Sequence, residues 1–72
     1  MTVYVDDMRA RFRDHIMCHM IGDTEAELHD MAARIGIARR YYQGDHYDVT
    51  LDRRALAVAL GAREITWREC SL

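Results

Sequence analysis

Lysine and proline are absent from this chain, and glycine is scarce. The sequence has no proline-rich or glycine-rich linker, and with 72 residues we expect one domain over residues 1–72. Two cysteines cannot form a disulfide framework, so the composition favours a reducing cytoplasm. No apolar run approaches the ~20 residues that span a bilayer, and no signal-peptide pattern is present. We therefore expect a cytoplasmic protein with no membrane contact.

The charge of the chain is nearly balanced, at a formal −2. This net charge does not indicate nucleic acid or an anionic membrane as a partner. All ten basic residues are arginine, which suits phosphate or carboxylate recognition but is equally typical of a GC-rich genome. A chain this short buries only ~60% of the surface its unfolded form exposes, so a homodimer is a reasonable expectation.

The clearest predicted element is a helix that begins after Thr24. Thr24 and Glu27 have the spacing of a capping box, in which each side chain bonds the other residue's backbone N–H. Apolar residues then recur at helical spacing up to Ile35, and Gly36 is a typical C′ residue. A second helix is predicted after Thr50, ending at Gly61.

Four strands are predicted around these helices. We place them at residues 2–6, 16–21, 39–43 and 63–67, with residues 8–15 as a loop or arm. The second strand is a continuous apolar run, "IMCHMI", which indicates burial on both faces. Helical links between strands imply parallel pairing. The predicted fold is a two-layer or three-layer β-β-α-β-α-β domain of the α/β class with a mostly parallel four-stranded sheet.

An anionic ligand would suit the stretch "GDHYDVTLDRRALAV", which opens the second helix. Free N–H groups and the helix dipole favour an anion at this end, and two arginines add positive charge there. The predicted ligand-binding residues are His46, Asp48, Thr50, Arg53 and Arg54. Alternatively, Arg53 pairs with a carboxylate of the chain, and Arg54 faces water.

A divalent metal is the second possibility, because histidines and carboxylates follow several predicted elements. The candidate ligands are His19, His29, His46, Asp48 and Asp23. His19 can equally be a buried structural histidine that bonds a neighbouring side chain.

A zinc site within "HIMCHM" alone is not expected. On a strand, His15 and His19 stand ~13 Å apart and Cys18 points the other way. Cys18 is expected to be a small buried apolar residue.

The blocks "TVYVDD", "CHMIGDTEAELHDMAARIGI", "HYDVT" and "RRALAVALGA" occur in an order that resembles a family of small bacterial and phage proteins, catalogued as domain of unknown function 4031. The similarity covers nearly the whole chain. It implies no activity, but its segments contain most of the candidate site residues; the polar residues in these segments are Asp6, His19, Asp23, His29, His46, Asp48 and Arg54.

Three functions remain open from the sequence. The first is an α/β module that binds a phosphate or nucleotide-like ligand at a cleft of His, Asp and Arg residues. The second is a metal-dependent phosphoesterase or other hydrolase, in which a bound ion activates water. The third is a phage or bacterial accessory protein that binds another protein through its arginine-rich arm and Trp67. Catalytic residues cannot be assigned from the sequence.

Overall fold

The computed structural model describes residues 1–70, which form five strands, three α-helices and one 3₁₀ turn. The strands are β1 (Val3–Val5), β2 (Ala10–Phe12), β3 (His15–Gly22), β4 (Tyr47–Thr50) and β5 (Arg63–Glu64). The α-helices are α1 (Glu25–Arg34), α2 (Leu51–Ala59) and α3 (Trp67–Cys70), and the 3₁₀ turn is Arg39–Tyr41. None of the helices in this described part is long and apolar enough to cross a membrane.

Helix α1 confirms its predicted signals. Thr24 is the N-cap, and its hydroxyl and the Glu27 carboxylate form the reciprocal capping box. At the other end, Ile37 N–H donates to the Ala32 carbonyl at 2.8 Å, and Gly36 adopts a φ of 84°. This is a Schellman motif, which satisfies carbonyls that the helix end would otherwise leave unpaired.

The long strand β3 is the centre of the sheet. Along one edge it pairs antiparallel with β2 through residues 15–17 and with β1 through residues 20–22. Its other edge pairs antiparallel with β4 through residues 17–20. Strands β1 and β2 therefore act as one interrupted strand: Asp6 still bonds the His19 backbone, and residues 7–9 lie outside the ladder.

The prediction of a mostly parallel four-stranded sheet is wrong, although the α/β class is confirmed. The sheet has five strands and is mixed: β1 and β5 pair in parallel, and the other described pairs are antiparallel. The physical reason lies after α1, where Arg39–Tyr41 forms a 3₁₀ turn instead of the predicted strand. The chain then returns as Tyr47–Thr50, which runs opposite to β3.

Two other boundaries differ from the sequence prediction. The segment 8–15, expected to be an irregular arm, contains β2 and the tight turn that joins it to β3. The last predicted strand, residues 63–67, is shortened to Arg63–Glu64, because Thr66 caps the short helix α3. In this cap, Glu69 N–H donates to the Thr66 hydroxyl, while Thr66 N–H donates to the Glu69 carboxylate.

Strand β3 is buried on one face only, which contradicts the predicted burial on both faces. Cys18 and Met20 are fully buried, whereas Met17 and His19 on the other face are partly exposed. The buried face packs against α1 and α2 in one apolar core, formed by Val3, Val5, Cys18, Met20, Leu28, Met31, Ala32, Ile35, Tyr47, Val49, Ala57 and Ala62. Cys18 is thus the small buried residue that the sequence predicted. The opposite face is left available for polar side chains.

Helix α2 begins after Thr50 and ends before Gly61, close to the predicted bounds. The Thr50 hydroxyl makes no capping bond to the helix backbone, and donates instead to the Asp52 carboxylate at 2.5 Å. Only Ala57 of this helix is fully buried, while Leu56 and Leu60 are exposed. The helix is therefore not covered on most sides within the chain.

Candidate functional site

Antiparallel pairing brings Asp6 to His19. Asp6 follows β1, and its N–H donates to the His19 carbonyl at 3.0 Å, one step beyond the Val5–Met20 pair. Residues opposite each other in an antiparallel ladder place their side chains on the same face. The Asp6 and His19 side chains therefore meet on the face of the sheet that points away from the apolar core.

The buried carboxylate of Asp6 holds the His19 ring. Its Oδ2 lies 2.7 Å from His19 Nδ1, and its Oδ1 accepts the backbone N–H of His19 at 2.8 Å and of Met8 at 3.2 Å. Burial by itself would raise the pKa of this carboxyl group, but the hydrogen bonds from His19 and Met8 outweigh it and lower the pKa. Asp6 is thus an ionised, fully buried acceptor at neutral pH. The imidazole atom that this pairing leaves free is Nε2.

Strand β4 supplies the next two polar side chains. His19 and Asp48 are paired across β3 and β4, and His46 lies just ahead of β4. The His19 and His46 rings meet edge to face with centroids 5.0 Å apart. His19, His46 and Asp48 each offer one atom that can ligate a metal, and these three atoms lie within 4.8 Å of one another. This spacing allows one cation to contact all three residues.

Each member of this group, which we call the His19 triad (His19, His46 and Asp48), is oriented by a second partner. Asp6 holds Nδ1 of His19, as described above. His46 Nδ1 lies 2.5 Å from Asp45 Oδ1, and Gln43 donates its side-chain N–H to Asp48 Oδ2 at 2.7 Å. Such outer contacts are typical of metal ligands, because they fix the histidine tautomer and the carboxylate orientation.

His46 lies between two carboxylates, those of Asp45 and Asp48. His46 Nε2 lies 3.3 Å from Asp48 Oδ1. If Nδ1 carries the proton donated to Asp45, Nε2 presents a lone pair to a carboxylate oxygen, and two acceptors then face each other. Either a second proton on the ring or a shared cation removes this repulsion.

The triad lies in an open cleft of about 1010 Å³. Its wall includes the β2–β3 turn and the loop after α1. The charged and aromatic residues of its lining, apart from the triad, are Arg11, Phe12, Arg13, His15, Tyr41 and Arg53. The triad is thus accessible to a ligand larger than an ion.

The two arginines predicted to bind an anion are engaged within the chain. Arg53 donates to the Ile35 carbonyl, although the residue also lines the cleft. Arg54 donates through Nε to the Asp6 carbonyl at 2.8 Å and through a terminal nitrogen to Glu64 Oε1 at 2.9 Å. Thr50 lines the cleft, while Arg54 is not among its lining residues. The helix end alone is therefore not an open anion site.

His29 and Asp23 do not join the triad. His29 Nδ1 lies 2.7 Å from the Tyr47 hydroxyl, and its buried Nε2 has no hydrogen-bond partner among the described residues. This Nε2 is 3.6 Å from a Glu25 carboxylate oxygen, and burial raises the pKa of Tyr47. Asp23 accepts the Thr2 N–H at 3.0 Å, at the far end of β3. Of the five predicted metal ligands, the structure brings together His19, His46 and Asp48.

Cys70 lies beside Asp6 and is not a member of the triad. A second group of possible donors, Asp6, His19 and Cys70, also lies within 4.8 Å. Burial and the nearby Asp6 carboxylate raise the pKa of the Cys70 thiol to about 11, so it is protonated at neutral pH. Asp6 itself is occupied by His19. The second group therefore acts as support for the His19 ring.

The sequence did not predict that Asp6, Asp45 and Gln43 would orient the triad residues. In the sequence, Asp6 stands out only as a polar residue of the segments that resemble the family, and the antiparallel register of β1 on β3 is what places it opposite His19. The signal that could have found Asp6 is its position directly after an apolar strand, where a carboxylate needs a partner. Asp45 and Gln43 lie in a loop and carry no such signal.

Comparison with known proteins gives a family without an assigned activity. Residues 3–72 match the family described as "Protein of unknown function (DUF4031)". No curated protein and no solved structure matches the chain.

Proposed function

Because the chain belongs to the DUF4031 family, whose description names no activity, we propose a function from the site itself: the cleft binds a phosphate-bearing ligand through a divalent metal ion held by the His19 triad. Two imidazoles and one carboxylate are a common ligand set for divalent transition metals. They leave further coordination positions open to an anionic ligand.

The observation that carries this proposal is the outer contact at each triad residue. Asp6, Asp45 and Gln43 each occupy one side-chain atom of a triad residue, so the atoms that remain for a cation are His19 Nε2 and the His46 Nε2–Asp48 Oδ1 pair, whose two atoms are 3.3 Å apart. A chance cluster of surface polar groups would not require three separate orienting partners. Asp6 is the strongest of these, since its carboxylate is fully buried.

The charge of the cleft supports an anionic ligand. Arg11, Arg13 and Arg53 line it, against the single carboxylate of Asp48. Arginine forks match phosphate geometry, and a bound divalent ion would add positive charge at the floor. The proposal thus moves the predicted anion site from the start of α2 to the cleft above the triad.

Metal titration by calorimetry tests the proposal. We expect the metal-free protein to bind Zn²⁺ or Mn²⁺ at one site, and His46→Ala and Asp48→Ala to weaken binding by more than about 100-fold, because even outer partners are worth 10- to 100-fold. Inorganic phosphate should then bind more tightly to the metal-loaded protein than to the metal-free one.

Two histidine variants are the matched controls. His15→Ala removes an imidazole that lines the same cleft but is outside the triad, and His29→Ala removes the predicted ligand that lies elsewhere. Both variants should keep the metal affinity of the parent. If they lose it as fully as His46→Ala does, or if the parent binds no divalent ion, the proposed site is wrong.

Phosphoester hydrolysis is a second candidate function, supported by the open positions that a three-residue ligand set leaves on a metal. An ion bound there can lower the pKa of a coordinated water and generate a nucleophile. The test is release of nitrophenol from bis(p-nitrophenyl) phosphate with added Mn²⁺ or Zn²⁺. Activity that survives His46→Ala, or no activity with any divalent ion, would exclude hydrolysis and leave ligand binding in place.

A further inference from the structure

We propose that the ligand of this cleft is a single-stranded nucleic acid, whose bases stack on Phe12 and Tyr41 and whose phosphates contact the cleft arginines. The inference deepens the proposed function and rests on it for the phosphate contact at the metal. The stacking and arginine contacts are independent of the metal.

Two exposed aromatic rings from different segments of the chain line the cleft. The exposed fraction is 55% for Phe12, on β2, and 56% for Tyr41, in the 3₁₀ turn, and both residues line the cleft. Aromatic side chains normally contribute large apolar areas to a core. Rings held outside the core beside a polar cleft are the arrangement on which bases of a single strand stack.

Each of these rings is paired with an arginine. The guanidinium carbon of Arg13 lies 5.5 Å from the Phe12 ring centroid, and that of Arg40 lies 4.9 Å from the Tyr41 centroid. Arginine next to an aromatic ring can contact the phosphate that adjoins a stacked base, and it can also stack on the base. The same ring–arginine pairing therefore occurs at both rings, although of the two arginines only Arg13 is among the cleft-lining residues.

The local charge of the cleft differs from that of the chain. Arg11, Arg13 and Arg53 line it against Asp48, whereas the whole chain carries a formal net charge of −2. The net charge of the whole chain therefore predicts no general attraction to nucleic acid, but it does not describe the charge of the cleft. A positive cleft on an acidic chain restricts a polyanion to one surface.

The backbone at Arg13 suits glycine, so the guanidinium can be removed there without straining the turn. Arg13 and Asp14 form the two-residue turn between β2 and β3, and Arg13 has a φ of 56°. This left-handed conformation favours glycine, and glycine is the usual residue at the first central position of a type II′ turn. An arginine here costs stability that a glycine would not. Arg13→Gly therefore separates binding from folding.

Single strands are favoured over duplexes because stacking requires free base faces. In a duplex the base faces are covered by neighbouring base pairs, so Phe12 and Tyr41 cannot reach them without unpairing. The arginines can contact the phosphates of either form. We therefore expect the two rings to determine the preference for single strands.

The test is fluorescence anisotropy with labelled single-stranded oligonucleotides of twelve thymidines and of twelve uridines, against a labelled duplex, at low salt. Measurements are made in EDTA and with Mn²⁺. We expect both single strands, or one of them, to bind at least about tenfold more tightly than the duplex. Phe12→Ala and Tyr41→Ala should each weaken binding about tenfold, as expected for loss of one stacked base.

Matched controls separate the cleft from the rest of the surface. Trp67→Ala removes a ring of similar exposure, 58%, that does not line the cleft, and Arg34→Gln removes an exposed arginine on α1. Neither should change the affinity. Arg13→Gly should weaken binding and lower the steepness of the salt dependence by about 0.7, the value of one phosphate contact. Its melting temperature should equal or exceed that of the parent.

The outcomes distinguish this inference from the metal proposal. Binding in EDTA that depends on Phe12 and Tyr41, in a protein that takes up no metal, would support the nucleic-acid inference and refute the metal site. Metal binding without any affinity for either single strand would refute the inference alone. Equal affinity for the duplex, or an equal loss in Trp67→Ala, would also overturn it.

Discussion

Replacing Asp6 by asparagine tests the link between the fold and the site, because this one carboxylate supports both. Asparagine has nearly the same shape, and its oxygen can still accept the backbone N–H groups of His19 and Met8 that now bond Oδ1. Its NH₂ group would then occupy the place of Oδ2, facing His19 Nδ1, where it can only donate. The His19 proton must move to Nε2 to accept that bond.

This tautomer change should weaken metal binding at the His19 triad. A protonated Nε2 has no lone pair for a cation, and the Asp6–His19 contact is of the outer-partner kind worth 10- to 100-fold in metal affinity. We expect Asp6→Asn to lose affinity for Zn²⁺ by about that factor in calorimetry. His46 and Asp48 remain in place as ligands, so residual binding is expected.

The same substitution should lower the free energy of unfolding by about 1.5–3 kcal/mol, the range for a hydrogen bond to a charged group. A chain of 72 residues has roughly 4–11 kcal/mol in total. The loss should therefore lower the melting temperature by about 6–24 °C at this size. Urea denaturation followed by circular dichroism measures the free energy of unfolding. The control is Asp30→Asn, which changes an exposed carboxylate on α1 and should leave the stability unchanged.

The dependence of the free energy of unfolding on pH should also change in the acidic range. The folded-state pKa of Asp6 lies below the ordinary 3.8, so its stabilising contribution is complete above the unfolded pKa and is lost as the pH falls through the folded one. Asp6→Asn removes this loss, and its stability should fall less steeply than the parent's below about pH 4. A variant with parental stability, parental metal affinity and an unchanged dependence of stability on acidic pH would refute the account of Asp6.

Two further predictions concern the surroundings of Asp6. Arg54→Ala removes the hydrogen bond to the Asp6 carbonyl and the ion pair with Glu64. The free energy of unfolding, measured by urea denaturation, should therefore fall by about 1–3 kcal/mol. An unchanged urea midpoint would show that these contacts are not formed in solution. Cys70, with a pKa raised to about 11, and the fully buried Cys18 should resist iodoacetamide at pH 8 in the folded protein and react once urea unfolds it. Rapid alkylation of the native chain, detected by mass spectrometry, would contradict the burial of both thiols.

Local signals made α1 predictable. Thr24, Glu27 and Gly36 act through hydrogen bonds to backbone atoms a few residues away, so their spacing alone specifies the helix ends. The end of α2 at Gly61 follows the same rule, with Ala62 N–H bonded to the Ala57 carbonyl at 2.9 Å. Such contacts do not depend on how the rest of the chain folds.

The sheet was not predictable in the same way, because strand pairing depends on contacts distant in sequence. Residues 39–43 have aromatic and polar side chains that suit a strand, but no strand within residues 1–70 pairs with them. From the run "IMCHMI", His19 could be either a metal ligand or a buried structural histidine. Its actual partner, Asp6, is specified by the register of β1 on β3.

The candidate site was predicted in its residues more than in its arrangement. His46 and Asp48 were grouped because they stand two apart in an extended segment, and that spacing holds in the structure. His29 was grouped with them on residue type alone, and its position on α1 takes it to Tyr47 instead. Residue type and local spacing identify candidates, while register and helix face decide which of them meet.

The most direct test of the account is X-ray absorption spectroscopy of the zinc-loaded protein, which reports the ligand atoms of the metal. The account predicts two imidazole nitrogens and one carboxylate oxygen at about 2.0–2.2 Å, with one imidazole lost in His46→Ala. A spectrum without imidazole scattering, or one that His46→Ala leaves unchanged, would contradict a metal site at His19, His46 and Asp48.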